Sequence, residues 1–352
     1  MTQSNVILEI SKKNIVHNYN FFNKLKKNNI CAVTIKADGY GLGAEQIYKL
    51  LLKNGCEHFF VATTQEGISL RKIFNKGNIY ILNGIEFNDF NIFKKFNLIP
   101  ILSNINDYKK ILSQSINFGI QINTGINRLG MDYKDYKEIS LKNRNIKIII
   151  SHLASADEKN NKYNSIQLQK FQEFADLYKN NDIIFSLANS FGSILSKKYL
   201  FNMIRPGISI YGGHFYNAHL NKKIKPVVTL KAKILQIKLL EKNQFIGYNQ
   251  TYKTNKKTWI AIIGIGYGDG LNRLLSNIGK VYFKGRKYNI IGRISMDSII
   301  IDISKEKSIF KNATYVEIIN KNHGIDELAK NCKTISHEIL TSLTNRIEKK
   351  FV

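Results

Sequence analysis

Lys36 stands where an apolar, β-branched run, Ala32-Val33-Thr34-Ile35, meets a glycine-rich loop, Ala37-Asp38-Gly39-Tyr40-Gly41-Leu42-Gly43. The run reads as a buried strand. A lysine closing such a strand either snorkels to water or has a chemical task, because burying an ammonium is costly. Desolvation favours the neutral amine, the form that condenses with a carbonyl to give a Schiff base. The three glycines let backbone N–H groups approach an anion such as a phosphate. A Schiff-base lysine beside a phosphate cradle points to pyridoxal phosphate. The alternative is a solvated lysine before an ordinary strand-to-helix turn.

The elements that must position this lysine recur along the chain. Val6–Ile10 reads as a short strand, and Ser11 as the N-cap of a helix through about Lys27. Apolar runs then appear near Cys31–Ile35, His58–Ala62, Ile79–Leu82, Leu98–Leu102, Phe118–Ile122, Ile146–Ser151, Ile183–Ser186 and Asn202–Ile204. Helical patterns such as Ala44–Lys53, Gln65–Phe74 and Gln167–Tyr178 lie between them. Eight strand–helix units point to an α/β chain with a closed (β/α)8 TIM-type barrel, an open doubly wound sheet being the alternative. From Pro226 the pattern turns β-like, in runs at Val227–Lys238, Trp259–Gly264, Lys280–Phe283, Asn289–Ile291, Ser298–Ile303 and Thr314–Ile319. The expected division is a barrel domain at 1–222 and a C-terminal, mainly β domain at 223–352, with the strand at 6–10 assignable to either.

Barrel sites form at the C-terminal ends of the strands, and the loops after the last two often hold a phosphate. That rule selects Lys36, Arg128 in Asn127-Arg128-Leu129-Gly130, His152 in Ser151-His152-Leu153, Asn189-Ser190, and Arg205-Pro206-Gly207-Ile208. Each alone has a bland explanation: a structural histidine, or an arginine paired with a carboxylate. All of them falling on strand ends favours a site.

Composition narrows the classes. A chain of 352 residues, 43% hydrophobic, has room for two domains or a barrel with an appendage. No run of eighteen apolar residues occurs, which excludes a spanning helix. The first residues lack the parts of a signal peptide, so a cytoplasmic location is expected. Cys31, Cys56 and Cys332 are scattered and form no C-x-x-C pair, against a disulfide framework and against a metal site. The net charge of +27 comes from lysines spread in singles and pairs such as Lys94-Lys95 and Lys197-Lys198. Such dispersion argues against a nucleic-acid partner, which selects a clustered patch, and leaves attraction of small anions open.

The ordered motifs Lys36-Ala37-Asp38-Gly39-Tyr40-Gly41, Thr124-Gly125…Arg128-Leu129-Gly130, Ser151-His152-Leu153-Ala154, Ala188-Asn189-Ser190 and Arg205-Pro206-Gly207-Ile208 continue as Gly247-Tyr248, Gly266-Tyr267-Gly268-Asp269-Gly270, Gly292-Arg293-Ile294-Ser295-Met296-Asp297 and Ser336-His337-Glu338. Over essentially its whole length the chain resembles the alanine racemases, fold-type III pyridoxal-phosphate enzymes with a barrel and a C-terminal β domain. The resemblance implies that Lys36 carries the cofactor and is one of two proton-transfer bases. Tyr248 of the other subunit in a homodimer is implied as the second. Tyr40, Ser190, Gly207 and Ile208 would hold the phosphate, with His337 near it. Arg205 would face the pyridine nitrogen, with His152 linking Arg205 to Tyr248. Arg128 and the Met296 backbone would place the substrate carboxylate, and the partner's Tyr252 and Tyr267 would line the site entrance. The implied activity interconverts L- and D-alanine and supplies D-alanine for peptidoglycan.

Three positions depart from the family pattern: Gln121 replaces a frequent lysine, Ser186 a frequent histidine and His337 a frequent tyrosine. Gln121 offers Arg128 no charge partner, and Ser186 is expected to remove one hydrogen bond to Arg205. His337 is expected to alter pocket size or pH response. A racemase of serine or another small amino acid, a decarboxylase, and a non-catalytic cofactor-binding barrel remain as alternatives.

Overall fold

The computed structural model describes residues 4–25, 27–86, 90–139, 143–177, 182–214 and 222–352. Two compact units divide the chain: Ile15–Lys225, and Met1–Asn14 together with Pro226–Val352.

In the first unit seven parallel strands follow one another in sequence order: Val33–Thr34, His58–Val61, Asn78–Ile81, Leu98–Leu102, Phe118–Gln121, Ile146–Ile150 and Ile184–Ser186. Parallel strands covered on both faces read as unbroken apolar runs, and Leu98–Leu102 is buried at every residue. The run at Cys31–Ile35 is split, with Ile30–Cys31 pairing in parallel with Met203–Ile204. Ala32 and Thr34 extend that pairing, their N–H groups reaching the carbonyls of Ile204 and Pro206. On the opposite side Asn202 N–H bonds Phe185 O and Arg205 N–H bonds Ala188 O. Residues 202–206 therefore join the last strand to the first, as the eighth barrel strand should.

Alternate residues fill the interior. Ala32, Phe60, Tyr80, Ile99, Ile101, Ile148, Ile150 and Met203 form one buried cluster, in which the rings of Phe60 and Tyr80 stack at 4.5 Å. The surrounding helices bury one face each: Ala44–Lys53 contributes Ile47, Tyr48 and Leu51. Thr64–Ile73 starts one residue before the expected Gln65, because Thr63 and Glu66 form a capping box. Tyr163–Asp176 starts four residues before the expected Gln167, and Tyr178 lies outside the described residues. The helix after Ser11 spans Lys12–Asn23, Ser11 Oγ accepting the Asn14 N–H at 3.3 Å. It stops short of Lys27, the chain turning after Asn23 with the Leu25 N–H on Phe22 O at 3.1 Å.

Arg71 secures the end of the barrel away from the strand C-termini. Its buried guanidinium donates to the carbonyls of Phe96, Phe74, Lys76, Gly77 and Asn97, using all five N–H groups on backbone.

The second unit is built on the long strand Val228–Leu240. It pairs antiparallel with Val6–Ile10, with Tyr315–Ile319 and with Thr258–Ile263, which pairs in turn with Ile299–Asp302. Val6–Ile10 also pairs in parallel with Glu348–Phe351. Two further short strands, Phe245–Ile246 and Tyr252–Lys253, form a hairpin around Tyr248. Among the described residues no helix is long and apolar enough to cross a membrane.

Candidate active site

The strand Val33–Thr34 delivers Lys36 to the barrel mouth, and the backbone then turns left-handed. The φ angles are 52° at Ala37, 53° at Asp38, 62° at Gly39, 59° at Tyr40 and 78° at Gly41. Such a conformation costs a non-glycine residue roughly 1–2 kcal/mol, so three of these five need external support. Gly39, Gly41 and Gly43 donate their N–H groups to the carbonyls of Ile35, Ala37 and Asp38 at 2.7–2.8 Å. Outside the turn, Glu66 accepts the Ala37 N–H at 2.6 Å and Asp38 accepts the Ala44 N–H at 2.8 Å. This corrects the reading of the loop as an anion cradle. Its glycine N–H groups are committed to the turn, and the glycines are there for positive φ.

Lys36 itself is half-buried. Desolvation holds its amine below the usual 10.5, Arg128 lowers it further, and Glu66 opposes both. Arg128 lies exposed on the loop after Phe118–Gln121. Asn123 pins that loop by accepting the N–H groups of Gly125 and Asn127, and donates to Asp132. Gln121 directs its amide to Leu129 O at 2.9 Å, so it holds the backbone beside Arg128 rather than the guanidinium.

Arg205 is buried. Its Nη1 donates to Ser186 O at 2.7 Å and to Ser186 Oγ at 2.5 Å, and its Nη2 to Ser151 O at 2.6 Å. Phe60 lies under the guanidinium at 5.7 Å. The expected loss of a bond at Ser186 is therefore corrected: this serine supplies two. Burial draws Arg205 down to about 9, which leaves it charged at neutral pH. His152 follows Ser151 directly, and its carbonyl accepts from Gln167 at 2.9 Å.

The loops after the last two strands converge on Ser190. Its Oγ accepts the N–H groups of Gly207 at 2.9 Å and Ser209 at 3.4 Å, which turns its own proton outward as a donor. Tyr40 covers the same place: a Cβ on Gly207 would stand 2.3 Å from Tyr40 Oη. Burial raises the Tyr40 phenol, so it too is a donor at neutral pH. Tyr211 backs it, with rings 4.8 Å apart and its hydroxyl on Thr34 O at 2.8 Å. Two hydroxyl donors next to Ile208 suit a phosphate, while the Gly207 N–H is engaged by Ser190 Oγ. Among the described residues no cluster of His, Cys, Asp and Glu could hold a metal ion.

The remaining predicted residues belong to the second unit. Tyr248 follows Gly247, whose φ is 72°, and shares a recess of about 410 Å³ with Asn249, Tyr267, Arg273 and Ile294. Tyr248 is 66% exposed, Tyr267 43% and Met296 52%, which leaves large apolar groups facing outward together. Tyr252 pairs with Ile246 across the hairpin, and His337 lies in the helix Ser336–Thr341. The Met296 carbonyl accepts the Gly268 N–H at 2.9 Å. Arg346 bonds Asp297 at 2.7 Å and Asp269 at 3.3 Å, bracketing the Tyr267 and Met296 segments.

Residues 10–214 match the family model described as alanine racemase, N-terminal domain, and residues 227–351 match alanine racemase, C-terminal domain. The chain belongs to the alanine racemase family. An alanine racemase of Rickettsia bellii (strain RML369-C) is 40% identical over 337 residues, 92% of this chain and 82% of that one. One of Rickettsia canadensis (strain McKiel) is 38% identical over 358 residues, 98% of each. The crystal structure of alanine racemase from Bartonella henselae, with covalently bound pyridoxal phosphate, has a TM-score of 0.92 at 32% identity, covering 99% of this chain and 100% of that one. The chain is accordingly an isomerase acting on alanine, and the alternatives are not favoured.

Two sets of contacts around the candidate residues escape sequence reasoning. Thr63-Thr64-Gln65-Glu66 signals a capping box, but nothing local announces that Glu66 also reaches Ala37. Arg346, near the end of the chain, gives no sign of bracketing Asp269 and Asp297.

Proposed function

We propose that this alanine racemase moves the alanine α-proton with two groups on opposite faces, Lys36 of one chain and Tyr248 of a partner chain in a homodimer. The observation that carries this reading is a desolvated lysine at the barrel mouth, matched by a tyrosine left 66% exposed on the second unit. Two bases on opposite faces invert the centre without turning the substrate over. Pyridoxal phosphate is the cofactor, and when bound it acidifies the α-proton by spreading negative charge into its ring.

The chain's own residues do the rest. Lys36 holds the cofactor and exchanges a proton at Nζ, its lowered pKa enlarging the neutral fraction at neutral pH. Tyr40 Oη, Ser190 Oγ and the backbone at Gly207 and Ile208 would hold the phosphate, and His337 is proposed to join them. Arg205, held by Ser186 and Ser151, would face the pyridine nitrogen. A guanidinium keeps its proton, so it would leave that nitrogen unprotonated and limit the charge drawn into the ring, which would suppress side reactions. A tyrosine of pKa near ~10 is a weak base at neutral pH unless positive charge stands near it. That charge would come from Arg205 through His152, the residue after the Ser151 carbonyl that Arg205 bonds. Arg128 and the Met296 backbone place the substrate carboxylate, while Tyr252 and Tyr267 narrow the approach. A cytoplasmic enzyme of this kind supplies D-alanine to peptidoglycan.

The test follows D-alanine formation from L-alanine with pyridoxal phosphate, using wild type, Lys36→Ala and Tyr248→Phe. Each variant alone should lose activity, and mixing the two should restore part of it, because hybrid dimers rebuild one intact site. Full activity in both single variants would overturn the assignment.

A further inference from the structure

Glu66 does more than its helix requires. The cap of Thr64–Ile73 needs the Glu66 carboxylate to accept the Thr63 N–H, which it does at 3.2 Å while Thr63 Oγ1 accepts the Glu66 N–H. The same oxygen accepts the Ala62 N–H at 2.7 Å, and the other oxygen crosses to Ala37 N–H at 2.6 Å. One carboxylate therefore ties the exit of the strand His58–Val61 to the residue immediately after Lys36. Ala37 is the first left-handed residue of the turn, at φ 52°, a conformation that alanine disfavours by roughly tenfold. The local hydrogen bonds of the turn begin at Gly39 N–H and leave Ala37 N–H to Glu66.

We propose that Glu66 is a positioning residue for Lys36: its carboxylate tethers the left-handed turn at Ala37, fixes where the lysine chain leaves the strand, and sets a negative charge against Arg128. The proposal rests on the reading of Lys36 as the residue that carries the cofactor. The charged groups acting on the Lys36 amine are Arg128, which lowers its proton affinity, and Glu66, which raises it. Glu86 caps the same helix through Thr64 N–H at 2.5 Å, so the cap keeps a second carboxylate when Glu66 is altered.

The test uses full-length protein freed of cofactor. Lysines are modified with an amine-reactive reagent across a pH series, the peptide carrying Lys36 is quantified by mass spectrometry, and pyridoxal phosphate is titrated in parallel. Glu66→Gln should move the Lys36 midpoint to lower pH and weaken pyridoxal phosphate binding about tenfold, as loss of one charge-assisted hydrogen bond implies. Thr63→Ala removes the other half of the capping box, leaves the Ala37 tether and should change neither. Should Glu66→Gln fail to fold, Glu66→Asp keeps the charge but is one methylene short of Ala37. It should weaken binding with little change in the midpoint. Glutamate variants indistinguishable from Thr63→Ala would overturn the proposal. Whether bound pyridoxal phosphate shields Lys36 in the wild type tests the underlying reading separately.

Discussion

Replacing Gly207 with alanine adds one methyl group at the phosphate end of the site. Its Cβ would lie 2.3 Å from Tyr40 Oη, 3.0 Å from Tyr40 Cζ and 3.5 Å from Thr34 Cβ. Non-bonded atoms settle at about 3.5 Å or beyond, so the phenol must retreat by about 1 Å. Tyr40 is buried against Tyr211, which is itself tied to Thr34, and little space exists behind it. Gly207 does not occupy the left-handed region, so the added Cβ acts by contact and not by backbone strain. Overpacking of this kind costs about 1–3 kcal/mol, a fall in Tm of roughly 2–10 °C for a unit of this size. Pyridoxal phosphate affinity should drop about tenfold as the phenol leaves the phosphate. Tyr40→Phe removes the nearest clashing atom and leaves only the milder approach to Cζ, so the decisive measurement is the double-mutant cycle. Gly207→Ala should destabilise the Tyr40→Phe background by less than about 1 kcal/mol, read from urea unfolding. Equal losses in both backgrounds, within about 0.5 kcal/mol, would refute the contact as the cause.

Arg71→Lys has only three donors for five carbonyls and should lower unfolding stability by about 3 kcal/mol. A loss below about 1 kcal/mol in urea titration would show that the carbonyls find other partners. Lys36 is held below 10.5 in the folded chain, so the unfolded chain binds more protons in the window between the two values, and stability rises with pH there. Lys36→Met should therefore exceed the cofactor-free wild type in Tm at neutral pH, with an advantage that shrinks towards pH 10.5. An advantage independent of pH would refute the titration as its source.

The barrel is legible because buried parallel strands carry runs such as Leu98–Leu102, where sequence and structure coincide. The strand-end rule likewise reaches Ser190 and Arg205 without knowledge of their contacts. The turn after Lys36 is a different case. Gly39, Gly41 and Gly43 permit positive φ and Asp38 tolerates it, but Ala37 and Tyr40 have no preference for it. Their conformation depends on a carboxylate 29 residues away, beyond any local pattern. Ser186 shows the same limit on a smaller scale. Its residue type promised less to Arg205 than its carbonyl and hydroxyl together provide. Glu348–Phe351 is charged and short, and only its pairing with Val6–Ile10 makes it a strand.

That pairing also sets an order of assembly. Val6–Ile10 is synthesised well before either of its neighbours, one of which begins at Val228 and the other at Glu348. At about 5–20 residues per second the ribosome takes roughly 10–40 s to reach even the nearer one. The barrel unit, continuous from Ile15 to Lys225, is complete in the meantime. During that interval an apolar strand waits with both edges open, a template for wrong partners. A chain stopped short of Glu348 would leave one edge of Val6–Ile10 open in the finished fold. A lesion at Glu348–Phe351 would thus be felt at Val6–Ile10, more than three hundred residues earlier.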